Sequence, residues 1–111
     1  MLKVREIVDI LDAQVLVGEE NMDLEIYSGC VMAFVKESVI LCTGLVNPQV
    51  VRTCEMMDIK VICFVRGKVP GDNIVELAKE MGITVLTTKN PLFITCGKLY
   101  DAGIVGKGVW D

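Results

Sequence analysis

The chain has 111 residues, close to the commonest size of one domain, and 52% of them are hydrophobic. Its formal net charge is −4 and its basic residues are scattered, which argues against a nucleic-acid partner that needs a clustered basic face. Every apolar run ends well before the roughly 20 residues of a spanning helix, so no membrane segment is expected. Because the N-terminus shows no secretory signal, we expect a cytoplasmic protein.

The first predicted element is an amphipathic helix from Leu2 to Asp12, where apolar residues recur at spacings of three and four. Gln14 to Val17 is predicted to be a short strand that ends at Gly18. A second strand is predicted from Glu25 to Met32. Gly29 lies inside that strand, and a glycine there indicates a bulge or the close approach of another backbone.

The central segment has the pattern of a strand, a helix and a strand. Ser38 to Thr43 and Lys60 to Arg66 are apolar, β-rich runs, and Asn47-Pro48 opens the helix between them. This order and length predict a parallel βαβ unit with a right-handed crossover. Strands that are uniformly apolar are usually covered on both faces, which indicates a layered α/β domain. The predicted buried stripe of the helix comprises Val50, Val51, Cys54 and Met57.

The remaining elements continue the same alternation. Asp72 is predicted to cap a helix that ends at Gly82, and Ile83 to Thr88 is the last predicted strand. Asn90-Pro91 is predicted to open a final helix that runs to about Ala102 and stops before a glycine.

The chain has five cysteines and no histidine. The cysteines are irregularly spaced without a Cys-x-x-Cys pair, so we expect no metal site, and no cofactor is predicted. All five are predicted to be structural thiols without disulfide bonds, as in a reducing compartment. An enzyme that used Cys30 or Cys96 as nucleophile would lack a base, and no two carboxylates are brought together by spacing. No catalytic residue is therefore predicted.

The stretch from Asp23 to Gly29, DLEIYSG, resembles the DRTGG domain family, whose sequences carry an acidic residue, a basic residue and paired glycines there. Asp23 and Gly29 fit this pattern. Leu24 stands where the family has Arg, and Ser28 stands where it has its first Gly. The layout of the chain up to Ile104 is similar too, in the segments LDAQVLVGEEN (11–21), the Asn-Pro helix, MGITVLTTK (81–89) and GKLYDAGI (97–104).

That family is similar to the N-terminal domain of the HPr kinase/phosphorylases, and its members also occur as appended domains beside CBS domains and in some phosphotransacetylases. The resemblance implies a three-layer α/β/α, Rossmann-like domain over residues 1–104, with a mostly parallel sheet of about five strands and a tail at 105–111. It also implies a non-catalytic regulatory or ligand-binding role. Kinase activity is not implied, because Gly103 to Gly108, GIVGKG, lacks the spacing and the hydroxyl of a P-loop.

The candidate ligand site lies at the carboxyl ends of the predicted strands, where the crevice of an open parallel sheet forms and helix N-termini attract anions. Hydroxyls, amides and two cations there suit a phosphate, a carboxylate or a nucleotide. The alternative is that the asparagines only cap helices and the cations only solubilise strand ends. The ligand-binding residues predicted in this way are Thr43, Gly44, Asn47, Arg66, Thr87, Thr88, Lys89 and Asn90.

The high apolar content also predicts self-association, because a short chain has little interior in which to bury 52% hydrophobic residues. We expect a homodimer whose interface contains Tyr27, Met32 and Phe34, since aromatic residues and Met are enriched in interface cores. Trp110 is a second candidate anchor. The alternative function is that of a protein-interaction subunit, whose apolar face binds a partner protein instead of a small ligand.

Overall fold

The structure is a computed structural model that describes residues 1–30 and 39–106. These residues form a mixed α/β domain, and none of their helices has the length and apolar character needed to cross a lipid bilayer. The helices are α1 (Val4–Leu11), α2 (Pro48–Met56), α3 (Asp72–Met81) and α4 (Leu92–Asp101). The strands are β1 (Leu2–Lys3), β2 (Gln14–Val17), β3 (Glu25–Ile26), β4 (Ser28–Cys30), β5 (Val39–Thr43), β6 (Val61–Phe64), β7 (Thr84–Thr87) and β8 (Val105–Gly106).

The main sheet has six strands in the described part of the chain, in the order β2-β7-β6-β5-β4-β8. The predicted parallel unit β5-α2-β6 is confirmed, with Ile40 opposite Val61. The pairs β6–β7, β4–β5 and β4–β8 are also parallel, whereas β2 runs antiparallel to β7 at one edge. The expected count of about five strands is too low. The start of the expected C-terminal tail, Val105–Gly106, forms the edge strand β8, and two residues carry too little pattern to predict a strand.

A second, two-stranded sheet pairs β1 with β3. The strand predicted from Glu25 to Met32 is therefore wrong as one element. Glu25–Ile26 pairs antiparallel with β1, whereas Ser28–Cys30 pairs parallel with β5 in the main sheet. Tyr27 separates the two strands. The other residues proposed for the dimer interface, Met32, Phe34 and Trp110, lie outside the described residues.

Two apolar clusters pack against opposite faces of the main sheet. Side chains of α1 and α4 pack on one face around Ile40 and Val61. Side chains of α2 and α3 pack on the other face around Leu41 and Ile62. Because successive residues of a strand point to opposite faces, uniformly apolar strands require this double cover. All residues of β5, β6 and β7 are accordingly buried.

The start of α2 follows the sequence prediction. Asn47 is the N-cap, its side-chain oxygen accepts the N–H of Gln49 at 2.8 Å, and Pro48 is the first helical residue. The predicted burial of Met57 is wrong. The helix ends one residue earlier, and Met57 is 43% exposed beyond its last turn.

The other helix boundaries shift slightly. Gly71, not Asp72, occupies the cap position of α3, and Asp72 is the first helical residue, where a carboxylate still favours the helix N-terminus. The predicted stop at Gly82 is confirmed, with a left-handed φ of 70°. The first helix begins at Val4 because Leu2–Lys3 pair with β3.

Candidate functional site

A cleft of about 330 Å³ lies at the carboxyl end of β7. Its walls come from the end of α1, the start of β2, the loop after β6, the segment after β7, and α4. The start of β2 reaches this position because β2 runs antiparallel to β7, so that Gln14 pairs with Thr87. The residues that line the cleft are Leu11, Asp12, Gln14, Gly67, Val69, Thr87, Thr88, Lys89, Asn90 and Lys98.

The cleft brings together half of the predicted ligand residues, namely Thr87, Thr88, Lys89 and Asn90. The other half does not line it, namely Thr43, Gly44, Asn47 and Arg66. Thr43 and Asn47 have local roles after β5. The Thr43 hydroxyl oxygen accepts the N–H of Leu45 at 3.0 Å, and Asn47 caps α2. The sequence predicts one ligand site at the ends of β5, β6 and β7. In the structure these ends lie at separate points along one edge of the sheet.

The two threonine hydroxyls of the cleft donate to the protein itself. Thr87 donates from Oγ1 to the carbonyl of Lys68, and Thr88 donates from Oγ1 to the carbonyl of Leu11, both at 2.7 Å. Each hydroxyl has one proton, so neither can also donate to an anion in this arrangement. These hydroxyls therefore hold the walls of the cleft in place. The groups that attract negative charge are its two lysine side chains.

Asn90 does not cap α4 as predicted. The cap position belongs to Pro91, where no side chain bonds to the helix. The Asn90 amide donates from Nδ2 to the Leu11 carbonyl and to Thr88 Oγ1, both at 3.0 Å. Leu11 is 79 residues away in sequence, so no local pattern indicates this contact. This network fixes the segment after β7 to the end of α1 and forms one wall of the cleft.

Main-chain hydrogen bonds hold the loop after β6 against the same segment. The Arg66 N–H donates to the carbonyl of Asn90 at 2.8 Å, and the Gly67 N–H donates to the carbonyl of Thr88 at 2.9 Å. Arg66 has a φ of 62°, an uncommon conformation for a residue other than glycine. The loop thus contributes Gly67 to the cleft, while the exposed Arg66 side chain does not line it.

Lys89 and Lys98 supply the positive charge of the cleft. Both are exposed, and the ion pairs found among the described residues involve neither of them. Asp12 adds a carboxylate and Gln14 adds a side-chain amide to the lining. Sequence reasoning missed these last two residues and Lys98, because they come from elements that only the folded chain brings to the end of β7. The two ammonium groups suit the negative charge of a ligand, and the carboxylate and the amide suit a hydrogen-bond donor on the same ligand.

The described thiols with clearly shifted pKa values lie outside the cleft. Burial raises the pKa of Cys63 to about 12, and the charge of Cys96 adds to this effect. A hydrogen bond from Cys42 lowers the pKa of Cys96 to about 6, against a smaller opposing effect of burial. No group of His, Cys, Asp or Glu residues within 1–30 and 39–106 is arranged to hold a metal ion.

Comparison with known proteins rests on structure. No family model matches the chain, and no curated protein matches it. A solved structure that matches is the crystal structure of the CBS and DRTGG domains of the regulatory region of Clostridium perfringens pyrophosphatase, complexed with its activator, diadenosine tetraphosphate. The match covers 93% of this chain with a TM-score of 0.68 and 21% sequence identity. The chain has a DRTGG-like fold. It spans about half, 48%, of the pyrophosphatase chain.

The structural match confirms, at the level of the fold, the resemblance to DRTGG domains that the stretch DLEIYSG indicates. The acidic residue of that stretch has a structural role here, because Asp23 Oδ1 accepts from Arg5 Nη2 at 2.7 Å and from Arg5 Nε at 2.8 Å. The pair joins the segment before β3 to α1.

Proposed function

We propose that this DRTGG-like domain is a non-catalytic regulatory module that binds a nucleotide or a similar phosphorylated metabolite in the cleft beside β7. The observation that carries the proposal is the placement of Lys89 and Lys98 in one concave site where neither is paired with an acid among the described residues. Helix pairs on both sheet faces support a three-layer, Rossmann-like arrangement. The similar pyrophosphatase region is regulatory and was crystallised with a nucleotide activator, which supports this ligand class.

The lining groups favour a nucleotide over inorganic phosphate. Ammonium groups of Lys89 and Lys98 attract phosphate oxygens, and the carboxylate of Asp12 accepts from a ribose hydroxyl or a base amine. Val69 is 66% exposed at the same site and offers an apolar surface to a base. We therefore expect ATP or diadenosine tetraphosphate to raise the melting temperature more than phosphate does at equal concentration.

Replacing Lys89 by Ala is expected to weaken the binding of ATP about tenfold, because a charge-assisted contact to phosphate is lost. Lys98→Ala should have an effect of the same size. Isothermal titration calorimetry at fixed salt measures both. Lys79→Ala is the matched control, since Lys79 is an exposed lysine of α3 outside the cleft. An unchanged affinity in both cleft variants, or an equal loss in the control, would remove this site from the account.

We also propose that the domain forms a homodimer through α4. Phe93 is 85% exposed and Tyr100 is 74% exposed, and they lie seven residues apart on one helix face. Gly97 lies between them, and nothing is within 4 Å of a Cβ added there, so a second copy can approach this face closely. The alternative, an interaction subunit, uses the same face to bind a different protein. Tyr27, from the interface predicted by sequence, is 49% exposed.

Size-exclusion chromatography with light scattering is expected to give twice the chain mass of 12.2 kDa at micromolar concentration, and Phe93→Asp should restore the single mass. A carboxylate buried in an apolar interface without a partner costs several kcal/mol, roughly enough to split such a dimer. Tyr27→Asp is the comparison. A dimer that survives Phe93→Asp and dissociates with Tyr27→Asp would place the interface at the patch predicted from sequence. A wild type that elutes as a monomer would refute self-association.

A further inference from the structure

Three cysteines from separate elements meet between α4 and the sheet. Cys42 of β5 and Cys63 of β6 are opposite each other in the parallel register, so their side chains point to the same face. Both belong to the core cluster that α4 covers. Cys96 of α4 is hydrogen-bonded to Cys42, and its charge acts on Cys63. The fold therefore assembles a thiol cluster from residues that are far apart in sequence.

The three thiols differ in their access to solvent. Cys96 is exposed, whereas Cys42 is 2% exposed and Cys63 is fully buried. In the single chain, before α4 meets a second copy, a small solute can therefore reach Cys96 first. The Cys63 sulfur donates to the carbonyl of Phe64 at 3.9 Å, and burial keeps this thiol in its neutral form. Cys42 lies in the core cluster under α4 and donates its thiol proton to the Cys96 sulfur.

We propose that Cys96 and Cys42 form a hydroperoxide-reactive thiol pair that closes to a disulfide between α4 and β5. The Cys96 thiolate attacks one peroxide oxygen and the O–O bond breaks. The other oxygen leaves as water or an alcohol after taking up a proton, and Cys96 becomes a sulfenic acid. The Cys42 sulfur then attacks the Cys96 sulfur, and the sulfenic hydroxyl leaves with the Cys42 proton as water. The two thiols lose two electrons in total, and the peroxide gains them.

Two further properties of the site support this pair. The hydrogen bond from Cys42 lowers the pKa of Cys96 to about 6, so the reactive thiolate predominates at neutral pH. The same hydrogen bond makes Cys42 the neighbouring thiol of Cys96, and a disulfide between them requires a sulfur–sulfur bond of about 2.05 Å. In the structure Cys42, Cys63 and Cys96 form no disulfide bond, which is the state before oxidation.

The test uses the full chain, diluted until light scattering gives the single mass so that α4 is uncovered. It is reduced, freed of reductant and exposed to equimolar hydrogen peroxide before its remaining thiols are blocked with N-ethylmaleimide. We expect the intact mass before blocking to fall by about 2 Da, as for one disulfide, and peptide mapping to join Cys42 to Cys96. Cys96→Ser should abolish the bridge. Cys42→Ala should leave Cys96 as a sulfenic acid that dimedone traps. Cys54→Ser is the control and should keep the bridge, because Cys54 is buried on the opposite face of the sheet.

Three results would overturn the proposal. These are a wild type that stays reduced, a Cys96 sulfenic acid that persists beside an intact Cys42, and a disulfide that joins Cys96 residues of two copies. Because Cys42→Ala alters the core, the pH profile of Cys96 alkylation in the wild type gives a second readout. A midpoint near 6 in the folded chain supports the pair, and a midpoint near the ordinary value of 9.0 contradicts it.

Discussion

Gly18→Ala is expected to lower the free energy of unfolding by at least about 3 kcal/mol, because the added methyl group has no space. A Cβ built at Gly18 would lie 2.5 Å from Thr84 Cα and 2.6 Å from Thr84 Oγ1. The first of these atoms belongs to the backbone of β7, so a side-chain rotation cannot relieve the clash. The φ of 89° adds strain for any residue with a Cβ.

The close approach at Gly18 is also tied to a hydrogen-bond network. Thr84 is fully buried, and its Oγ1 donates to the carbonyl of Gly18 at 2.8 Å and accepts from Asn21 Nδ2 at 3.0 Å. Moving β2 away from β7 to fit a methyl group would break these bonds. It would also disturb the cleft, because the start of β2 forms part of its wall.

Gly82→Ala is the matched control for this prediction. Gly82 has a φ of 70°, but nothing lies within 4 Å of its added Cβ. The expected cost is about 1 kcal/mol from the left-handed backbone alone. Urea denaturation followed by circular dichroism measures both variants. Equal losses at Gly18 and Gly82 would show that the contact with Thr84 does not limit the close approach of β2 and β7.

Thr88→Val is expected to cost about 2 kcal/mol of folding stability, although the two side chains have the same shape. Thr88 is 2% exposed, and its hydroxyl donates to the Leu11 carbonyl at 2.7 Å. Its oxygen also accepts from the Asn90 side chain at 3.0 Å and from the Asn90 N–H at 3.3 Å. Valine would leave the partly buried Asn90 N–H without its acceptor. The wall of the cleft would loosen where the segment after β7 meets α1.

Thr87→Val provides the comparison, since it removes one hydroxyl from the neighbouring position. Its partner is the carbonyl of Lys68 in an exposed loop, and water can replace the lost donor there. We expect a loss below about 1 kcal/mol. If chemical denaturation gave Thr87→Val the greater cost, the Thr88 network could not be the main tie between β7 and α1.

The elements that the sequence predicts well are those with local signals. The apolar runs of β5 and β6 and the Asn47-Pro48 start of α2 each depend on neighbouring residues, and the structure retains all three. The predicted burial of Met57 is wrong because helical spacing of apolar residues does not show where the helix ends, and α2 ends at Met56. The strands β1 and β8 have two residues each, too few for a periodic pattern.

The cleft is less predictable because long-range contacts assemble it. Thr87 to Asn90 could be selected from sequence, since they follow a strand. The Asn90-Pro91 pattern predicts a helix cap, whereas the actual partner of Asn90, Leu11, is too distant in the chain for any local pattern to indicate it. Lys98 lies on α4 and Gln14 at the start of β2, and only the antiparallel pairing of β2 with β7 brings Gln14 there. The hydrogen bond between Cys42 of β5 and Cys96 of α4 likewise joins residues that only the folded chain brings together.

The most direct test of ligand binding at this cleft is an NMR titration of the isotopically labelled chain with ATP. We predict saturable amide shifts that are largest at Gln14, Gly67, Lys89 and Asn90 and that disappear in the Lys89→Ala/Lys98→Ala double variant. Saturable shifts centred on the segment from Thr43 to Asn47, or no saturable shifts at any residue, would contradict the assignment of a nucleotide site to the cleft beside β7.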